Sequence, residues 1–172
     1  MIKLFEKAGS GLNLAIYNPG NNFPSQIIDM PAEYFRQNWE SCCFGGFLFG
    51  RETVRRMVPF GKETLIFTGP SASLRGRANF GAFNSAKSGL RTLAQAMAKE
   101  YGAKGIHVGH VIIDGAIAGE KIKRHLPELA EKLGEDGMIN IEGIINSYAF
   151  LHNQSPQSWT FELDLRTSIE KW

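Results

Sequence analysis

Two thiols and an Arg-Gly-Arg loop are the first side chains in this 172-residue sequence that could do chemistry. Cys42 and Cys43 lie together on a predicted helix, and because they are neighbours in sequence they predict neither a loop-closing disulfide nor a metal site. Buried free cysteines usually pack as small hydrophobic side chains, with a catalytic thiol as the minor alternative. Arg75 and Arg77 could attract an anion, although two arginines in a loop are more often a solvated surface.

The histidines are not spaced as metal ligands. His107 and His110 are three residues apart in a predicted strand, and an odd offset places two side chains on opposite faces. Ligands of one metal ion would have to lie on the same face. His125 and His152 have no potential ligand partners at a suitable spacing. The sequence therefore predicts no metal site.

Short apolar runs alternate along the chain with longer segments of helical period, and these elements must position the reactive side chains. The runs at 12–17, 64–68 and 106–113 show no polar alternation, so we expect strands that are buried on both faces. One helix is predicted over 31–57, with a proline at its start and another just beyond its end, and a second over 79–101.

The last third of the chain continues this alternation. Beyond residue 119 an apolar stripe predicts another helix, and the stripe consists of Ile122, Leu126, Leu129, Ala130 and Leu133. Asn140 is expected to cap the helix that follows. In the last strand, over 159–166, apolar and polar residues alternate, so we expect one apolar face and a place at an exposed edge or in a subunit contact.

The strict order of strand, helix, strand and helix predicts an α/β fold, in which helices cover both faces of a parallel sheet of about four strands. A hydrophobic fraction of 43% and a formal charge of +2 fit one folded domain over residues 1–172 and exclude a disordered or coiled-coil chain. No basic run predicts a nucleic-acid partner, and no apolar stretch is long enough to span a membrane. With no signal peptide in the sequence, the cytoplasm is the expected location.

Four motifs occur in a characteristic order along these elements. They are Asn18-Pro19-Gly20 after the first strand, Thr68-Gly69-Pro70-Ser71 at the end of the second, Phe83-Asn84-Ser85-Ala86-Lys87 in the second long helix, and Ile113-Asp114-Gly115 after the next strand. In this order and spacing, the sequence resembles the short-chain dehydrogenase/reductase family over about residues 12–166. The resemblance implies a Rossmann-like sheet and NAD or NADP as cofactor.

The sequence departs from this family at the expected phosphate-binding turn. Family members normally begin with a strand and a TGxxxGxG turn, whose backbone amides approach the cofactor's pyrophosphate. Gly9-Ser10-Gly11 is the nearest candidate, but it precedes a strand and is interpreted as a connecting turn. By alignment of motifs, the chain is expected to begin near the family's fourth strand, with 2–8 as the end of a helix. The expected fold is a Rossmann-like sheet without its N-terminal βαβ half, and no cofactor is expected to bind tightly.

The resemblance implies a degenerate catalytic site. The family uses a tyrosine to pass a proton to or from the substrate oxygen, and Phe83 stands at that position, where it has no proton to transfer. Lys87, four residues on, matches the family's lysine. Pro70 stands at the serine position, with Ser71 adjacent, and Cys42 stands at the asparagine position. Carbonyl reduction by this chain alone is therefore not expected.

The resemblance also implies cofactor contacts at the first strand and at Lys87. Asn18, Pro19 and Gly20 resemble the family's NNAG element, which lies along the cofactor, although Asn-Pro-Gly by itself is a turn signal. Lys87 would hold the ribose hydroxyl groups. Without the tyrosine, however, a lysine in the first turns of a helix is more often solvated, with its amine in water.

A second set of implied cofactor contacts follows the third strand. Asp114, Gly115, Ala116 and Ile117 occupy the place where the family usually has Pro-Gly and then a threonine that contacts the nicotinamide amide. Asp-Gly is also a common turn, and the turn is the favoured interpretation.

Two functional hypotheses remain open. The first is an oxidoreductase-like member of the family that is catalytically impaired. The second is a non-catalytic oligomerising or interaction module built on half of the fold, as a homodimer through helices 31–57 and 79–101. The second helix has a small-residue face on which another helix could pack: Ala78, Gly81, Ala82, Ser85, Ala86, Ser88 and Gly89. The strand at 12–17 would be an apolar sheet edge, which we expect another segment or subunit to cover.

Overall fold

A four-stranded parallel sheet forms the centre of the computed structural model, which describes residues 11–170. Its strands, in spatial order, are β1 (Leu14–Tyr17), β2 (Glu63–Gly69), β3 (Ile106–Asp114) and β6 (Glu162–Arg166). All three pairings are parallel. The predicted α/β fold with about four strands is confirmed. The helix end predicted over 2–8 and most of the turn at Gly9-Ser10-Gly11 lie outside the described residues.

The two central strands are buried along their whole length. Every residue of β2 and β3 is buried, as the uninterrupted apolar runs predict. Leu65 pairs with Val108, and Ile66 with Gly109. Because all three pairings are parallel, the carboxyl ends of the four strands lie at the same end of the sheet.

The first long helical segment is interrupted, which corrects the single helix predicted over 31–57. Helix α1 (Ala32–Trp39) leads into a π-turn (Glu40–Phe44), and α2 (Gly45–Met57) follows. Pro31 has an extended conformation and precedes the helix. Residues Glu40 and Gly45 keep helical torsions, so the axis continues through the wider π-turn. Such turns are frequent at functional sites.

Helices cover both faces of the sheet, so the three layers are confirmed. Helix α3 (Gly81–Tyr101) packs with α2 on one face, where Leu90 and Met97 meet Leu65 and Phe67. Helix α6 (Ile141–His152) covers the other face. Asn140 caps α6 as predicted, because its side-chain oxygen accepts a hydrogen bond from the amide of Gly143 at 2.6 Å.

The segment between β3 and α6 differs from its prediction. The single stripe expected there is divided between α4 (Glu120–His125) and α5 (Pro127–Leu133), because Leu126 precedes a proline and leaves the helical region. Leu126 and Leu129 are exposed rather than packed in the core. A second parallel sheet, which the sequence did not predict, pairs β4 (Ala116–Ile117) with β5 (Met138–Ile139).

The two edge strands agree with the sequence in position but not in surroundings. β1 lies at one edge of the main sheet, as predicted, and the expected cover over it stays a prediction. β6 lies at the other edge. Two of its polar side chains contact other elements instead of facing solvent. Glu162 bonds to Arg91 and His110, and Arg166 bonds to Asp114.

The small-residue face of α3 packs largely within the chain. Ala82 and Ala86 are buried, and the space beside Gly89 is filled by the thiol of Cys43 from the π-turn. Small side chains on α3 therefore let the chain's own first helical segment approach closely, while Ser85 remains exposed. Within residues 11–170, no helix combines the length and apolar character needed to cross a bilayer.

Candidate functional site

A buried lysine marks the candidate site, where the carboxyl ends of β1 and β2 meet the first turns of α3. The Nζ of Lys87 donates hydrogen bonds to the carbonyl oxygen of Pro19 at 2.8 Å and to that of Thr68 at 2.9 Å. The side chain is only 4% exposed. The interpretation of Lys87 as a solvated lysine is therefore wrong: its amine joins the two strand ends to the helix.

The electrostatic environment of this amine is unusual for a lysine. Burial lowers the pKa of Lys87, because the charged form loses its hydration, and the nearby thiol of Cys42 acts in the opposite direction. No carboxylate among residues 11–170 forms an ion pair with it. Its hydrogen-bond acceptors are neutral backbone carbonyls.

Phe83 lies one helical turn before Lys87 and faces the same space. The centroid of its ring is 5.9 Å from Nζ. Gly20 lies against both residues: a Cβ atom at Gly20 would be 3.5 Å from Cε2 of Phe83 and 3.7 Å from Nζ of Lys87. The structure thus brings Pro19, Gly20, Phe83 and Lys87 together, whereas Asn18 is exposed.

The Cys42 thiol is buried behind the same turn. Its Sγ lies 4.0 Å from the carbonyl oxygen of Pro19, which also accepts the hydrogen bond from Lys87, and 3.8 Å from Oδ1 of Asn38. Asn38 is buried one helical turn earlier, and its Nδ2 has no hydrogen-bond partner within residues 11–170. The π-turn therefore presents the thiol of Cys42 to the site, and the end of α1 presents the amide of Asn38. Cys42 also packs as the small buried side chain that its sequence context favours.

Tyr17 fixes the π-turn against the end of β1. Its hydroxyl donates to the carbonyl oxygen of Ser41, and burial raises the pKa of Tyr17 to about 12. Gly45 and Gly46 allow this contact, since a side chain at either position would collide with Tyr17 or Leu90. Neither the π-turn nor this role of Tyr17 was predicted, although the glycine pair on an aromatic-rich helix is a signal of close packing.

The segment at the serine position is held by its own backbone contacts. Pro70 is extended, and Ser71–Ser73 form one turn of 3-10 helix. The hydroxyl of Ser73 donates to the carbonyl oxygen of Pro70 at 2.7 Å. Ser71 is half-buried and makes no side-chain hydrogen bond to the described chain, so no contact joins its hydroxyl to Lys87.

The residues predicted to follow β3 lie at the neighbouring strand end. Asp114 is buried and pairs with Arg166, and Arg75 approaches its carboxylate at 3.7 Å. Arg75 is thus engaged at the sheet edge, although its side chain stays about half exposed. Gly115 has a φ of 154° and leads into Ala116–Ile117, which form β4.

Two other sets of buried polar contacts were not predicted. Nδ1 of His110 donates to Oε2 of Glu162 at 2.9 Å, and Arg91 binds the same carboxylate at 2.6 and 2.8 Å. On the opposite face, the hydroxyl groups of Tyr148 and Thr68 lie 2.7 Å apart. These contacts join residues 52 to 80 positions apart in sequence, so local patterns do not reveal them. The predicted opposite orientation of His107 and His110 is confirmed, since His107 contacts Leu151 of α6.

The matching family profile and solved structures are described as reductases or dehydrogenases. The profile of a family described as Enoyl-(Acyl carrier protein) reductase matches residues 1–160. A short-chain dehydrogenase from Rhodopseudomonas palustris is 36% identical, with a TM-score of 0.75, and the match covers 96% of this chain and 68% of that one. No functionally curated protein gives a significant match.

More distant solved structures share the fold. A sorbitol-6-phosphate 2-dehydrogenase from Erwinia amylovora is 18% identical, with a TM-score of 0.84, over 99% of this chain and 73% of that one. A gluconate 5-dehydrogenase from Burkholderia cenocepacia J2315, in complex with NADP and tartrate, is 16% identical, with a TM-score of 0.80, over 96% of this chain and 67% of that one.

Proposed function

Because this chain belongs to the short-chain dehydrogenase/reductase family, we propose that it is a member that has lost the proton-transfer step of the family's oxidoreductase chemistry. The observation that carries this proposal is the pair Phe83 and Lys87. The lysine is retained, but the side chain beside it has no ionisable proton. The lysine amine bonds instead to the backbone carbonyls of Pro19 and Thr68.

No tyrosine is available to replace the missing proton donor. The hydroxyl groups of Tyr17 and Tyr34 donate to backbone carbonyls, and that of Tyr148, on α6, pairs with the hydroxyl of Thr68. Tyr101 is the last residue of α3, four turns beyond Lys87. These are all four tyrosines of the sequence.

Weak cofactor binding is part of the same proposal. The 172 residues contain no TGxxxGxG turn that could hold the pyrophosphate of NAD or NADP on backbone amides. The remaining candidates for cofactor contacts are Lys87, the turn of Asn18, Pro19 and Gly20, and residues 114–117. We expect calorimetric titration with NADH and NADPH to give no binding tighter than millimolar.

The test of lost proton transfer compares the purified chain with its Phe83→Tyr variant, using NADPH and a panel of small ketones and aldehydes. We expect no turnover by the natural chain. Any gain of turnover in Phe83→Tyr that a second change, Lys87→Met, abolishes would support the missing hydroxyl as the cause. Turnover by the natural chain that survives removal of host proteins and is lost in Lys87→Met would contradict the proposal.

A second proposal concerns what the retained fold does: the chain associates with a second copy through its long helices. The outer face of α1, the π-turn and α2 carries four exposed aromatic side chains, from 38% to 43% accessible: Phe35, Trp39, Phe44 and Phe47. Trp39 stacks on Phe44, and Phe44 on Phe47, each with ring centroids 6.1 Å apart. A groove of about 520 Å³ is lined by three of these rings, those of Phe35, Trp39 and Phe44, together with Arg36 and Glu40.

This aromatic helix face supports a homodimer because contiguous exposed apolar surface of this kind is typical of protein interfaces. Sedimentation analysis at micromolar concentration should give a dimer, and Trp39→Glu should give a monomer. Phe60→Glu is the matched control, since Phe60 is an exposed aromatic residue in the turn after α2 and lies off this face. A monomeric natural chain, or equal effects of both variants, would contradict the homodimer.

A further inference from the structure

The edge strand β1 is covered unequally on its two faces. Ala15 and Tyr17 are buried, and they pack with side chains of α2 and α3. Leu14 and Ile16 point to the opposite face, where they pack against the cluster under α6 and stay only partly buried. The layer that covers β1 is therefore complete on the face of α2 and α3 and incomplete on the face of α6.

The flank of α6 nearest β1 carries an apolar stripe that nothing covers among residues 11–170. Tyr148 and His152 bond to threonine side chains of β2, whereas Leu151 lies against β3, so the flank with Tyr148 and His152 faces toward β1. Ile141 and Ile145 precede Tyr148 by seven and three residues, which places them on the same flank. Their side chains are 50% and 57% exposed.

The outer side of β1 also has backbone groups that can pair with a further strand. Within residues 11–170, β2 is the only strand beside β1. The carbonyl oxygen of Asn13 accepts a hydrogen bond from the amide of Thr64 at 2.9 Å. Because backbone groups alternate in direction along a strand, those of Leu14 and Ile16 point away from β2. Such an edge is a template for another chain.

The space over β1 requires a helix as well as a strand. Strands are spaced by about 4.8 Å and packed helices by about 8 to 10 Å, so the helix next to α6 would lie over β1 and the strand added to it. A second copy of this chain, paired through its own β1, would place its α6 about four strand spacings away, or about 19 Å, and would leave this space empty. The occupant must therefore bring both a strand and a helix.

The length of a relative agrees with an occupant of this kind. About a third of the Rhodopseudomonas palustris dehydrogenase has no counterpart in this chain, although the two share the fold over the rest. A third of such a protein is long enough for a strand, a helix and a further strand, since a βαβ unit takes about 30 residues or more.

We propose that the outer edge of β1 and the flank of α6 with Ile141 and Ile145 form one docking surface for a separate polypeptide. This partner adds a parallel strand beside β1 and packs the apolar face of a helix against Leu14, Ile16 and Ile145. The docking surface lies across the sheet from the aromatic helix face, so both surfaces can be occupied at once. The proposal goes beyond the loss of proton transfer and does not depend on it.

Co-expression with a tagged probe tests this docking surface. The probe is the N-terminal part of the Rhodopseudomonas palustris dehydrogenase, up to the residue at which its match to this chain begins. We expect the natural chain to be recovered with the probe in equal amounts. Ile145→Glu should lower this recovery at least about tenfold, because it places a charge under the partner's helix. Its exposed position means that the chain itself should fold normally, as checked by urea denaturation.

Phe150→Glu is the matched control for Ile145→Glu. Phe150 is 53% exposed on the same helix, but a separation of five residues turns it to a different side of α6. Recovery of this variant should stay within about twofold of that of the natural chain. Failure to recover the natural chain with the probe, or equal losses for the two variants, would overturn the proposal.

Hydrogen exchange locates the added strand. In the complex the amides of Leu14 and Ile16 should exchange at least about tenfold more slowly than in the chain alone. The amides of Ala15 and Tyr17 point toward β2 and should change little. No added protection at Leu14 and Ile16 would contradict the strand pairing. Full protection of these two amides in the chain alone would also contradict it, because the edge would then already be covered.

Discussion

Lys87 and Arg91 lie four residues apart on α3, yet the structure treats the two cations differently. Arg91 forms a two-pronged ion pair with Glu162 of β6, and His110 contacts the same carboxylate. Lys87 has only the neutral carbonyls of Pro19 and Thr68. The Glu162 contacts raise the pKa of Arg91, whereas burial lowers that of Lys87. Two cations one helical turn apart therefore differ: their surroundings stabilise the charge of Arg91 and destabilise that of Lys87.

Arg91 and Lys87 join α3 to the sheet by different interactions. Arg91 joins α3 to the edge strand β6 by charge, and its guanidinium geometry matches the carboxylate. Lys87 joins α3 to the ends of β1 and β2 by hydrogen bonds alone, which a neutral amine can also make. Retention of the lysine therefore has a structural reason that does not depend on a cofactor or on a proton donor.

Removing the carboxylate should have the largest effect on stability. Glu162→Gln leaves the guanidinium of Arg91 partly buried without its ion partner, so the free energy of unfolding should fall by about 2 to 3 kcal/mol in urea denaturation. Glu33→Gln is the control, because Glu33 forms an exposed ion pair with Arg36 on α1, and its unfolding midpoint should not change measurably. Equal shifts for the two variants would show that the Glu162 pair is no stronger than a surface contact.

Removing the amine should cost less. Lys87→Met keeps the length of the side chain but leaves the carbonyl oxygens of Pro19 and Thr68 without their donor, so we expect a loss of about 1 to 2 kcal/mol in the same denaturation experiment. The loss is smaller than for Glu162→Gln because no ion pair is broken. A loss above that of Glu162→Gln would break the comparison, since it would indicate a strongly stabilised charge on Lys87.

The two cations should also differ in alkaline solution. A pKa that is lower in the folded state than in the unfolded state means that the unfolded chain binds more protons, so stability rises with pH between the two values. For Lys87 this window ends near the ordinary lysine pKa of about 10.4. Stability of the natural chain should therefore increase with pH relative to Lys87→Met, as followed by urea midpoints. A constant difference between the two proteins across this range would oppose a lowered pKa.

The smallest effect is expected at Arg75, an exposed arginine near the carboxyl end of β3. Arg75 is 54% exposed and approaches Asp114 at 3.7 Å, whereas Arg166 already binds the same carboxylate. Arg75→Ala should therefore change the free energy of unfolding by less than about 0.5 kcal/mol. A change comparable to that of Glu162→Gln would mean that the exposed Arg75 stabilises the fold as strongly as the partly buried ion pair, which would contradict the distinction between the two kinds of ion pair.

Local sequence patterns predicted the elements but not the contacts between them. The apolar runs at 64–68 and 106–113 identify buried strands, because both faces of a central parallel strand lie against helices. Lys87 was interpreted as solvated because its burial depends on the turn at Pro19 and on the end of β2, which are 68 and 19 residues away. Glu162 was assigned to an exposed face for the same reason, since its partners lie on β3 and α3.

Two local features were also not predicted, each for a separate reason. The π-turn keeps helical torsions, so the residue pattern of 31–57 gives no sign of the extra residue per turn. The break between α4 and α5 has a signal in the sequence, because Pro127 disfavours a helical conformation at Leu126, but the apolar stripe that runs across it predicts one continuous helix. The degenerate site is a prediction from the resemblance to the family, which places Phe83 at the tyrosine position and Lys87 at the lysine position.

The central claim is that the lysine retained at this site is a buried amine whose pKa is lowered by burial, beside a phenylalanine that has no proton to transfer. The most direct test is an NMR titration of the Lys87 side chain, in which the Cε and Nζ chemical shifts report the charge of the amine. We predict that Lys87 loses its charge at a pH below the ordinary lysine pKa of about 10.4. Ammonium shifts at Lys87 that persist to about pH 10.4 and above would contradict the claim.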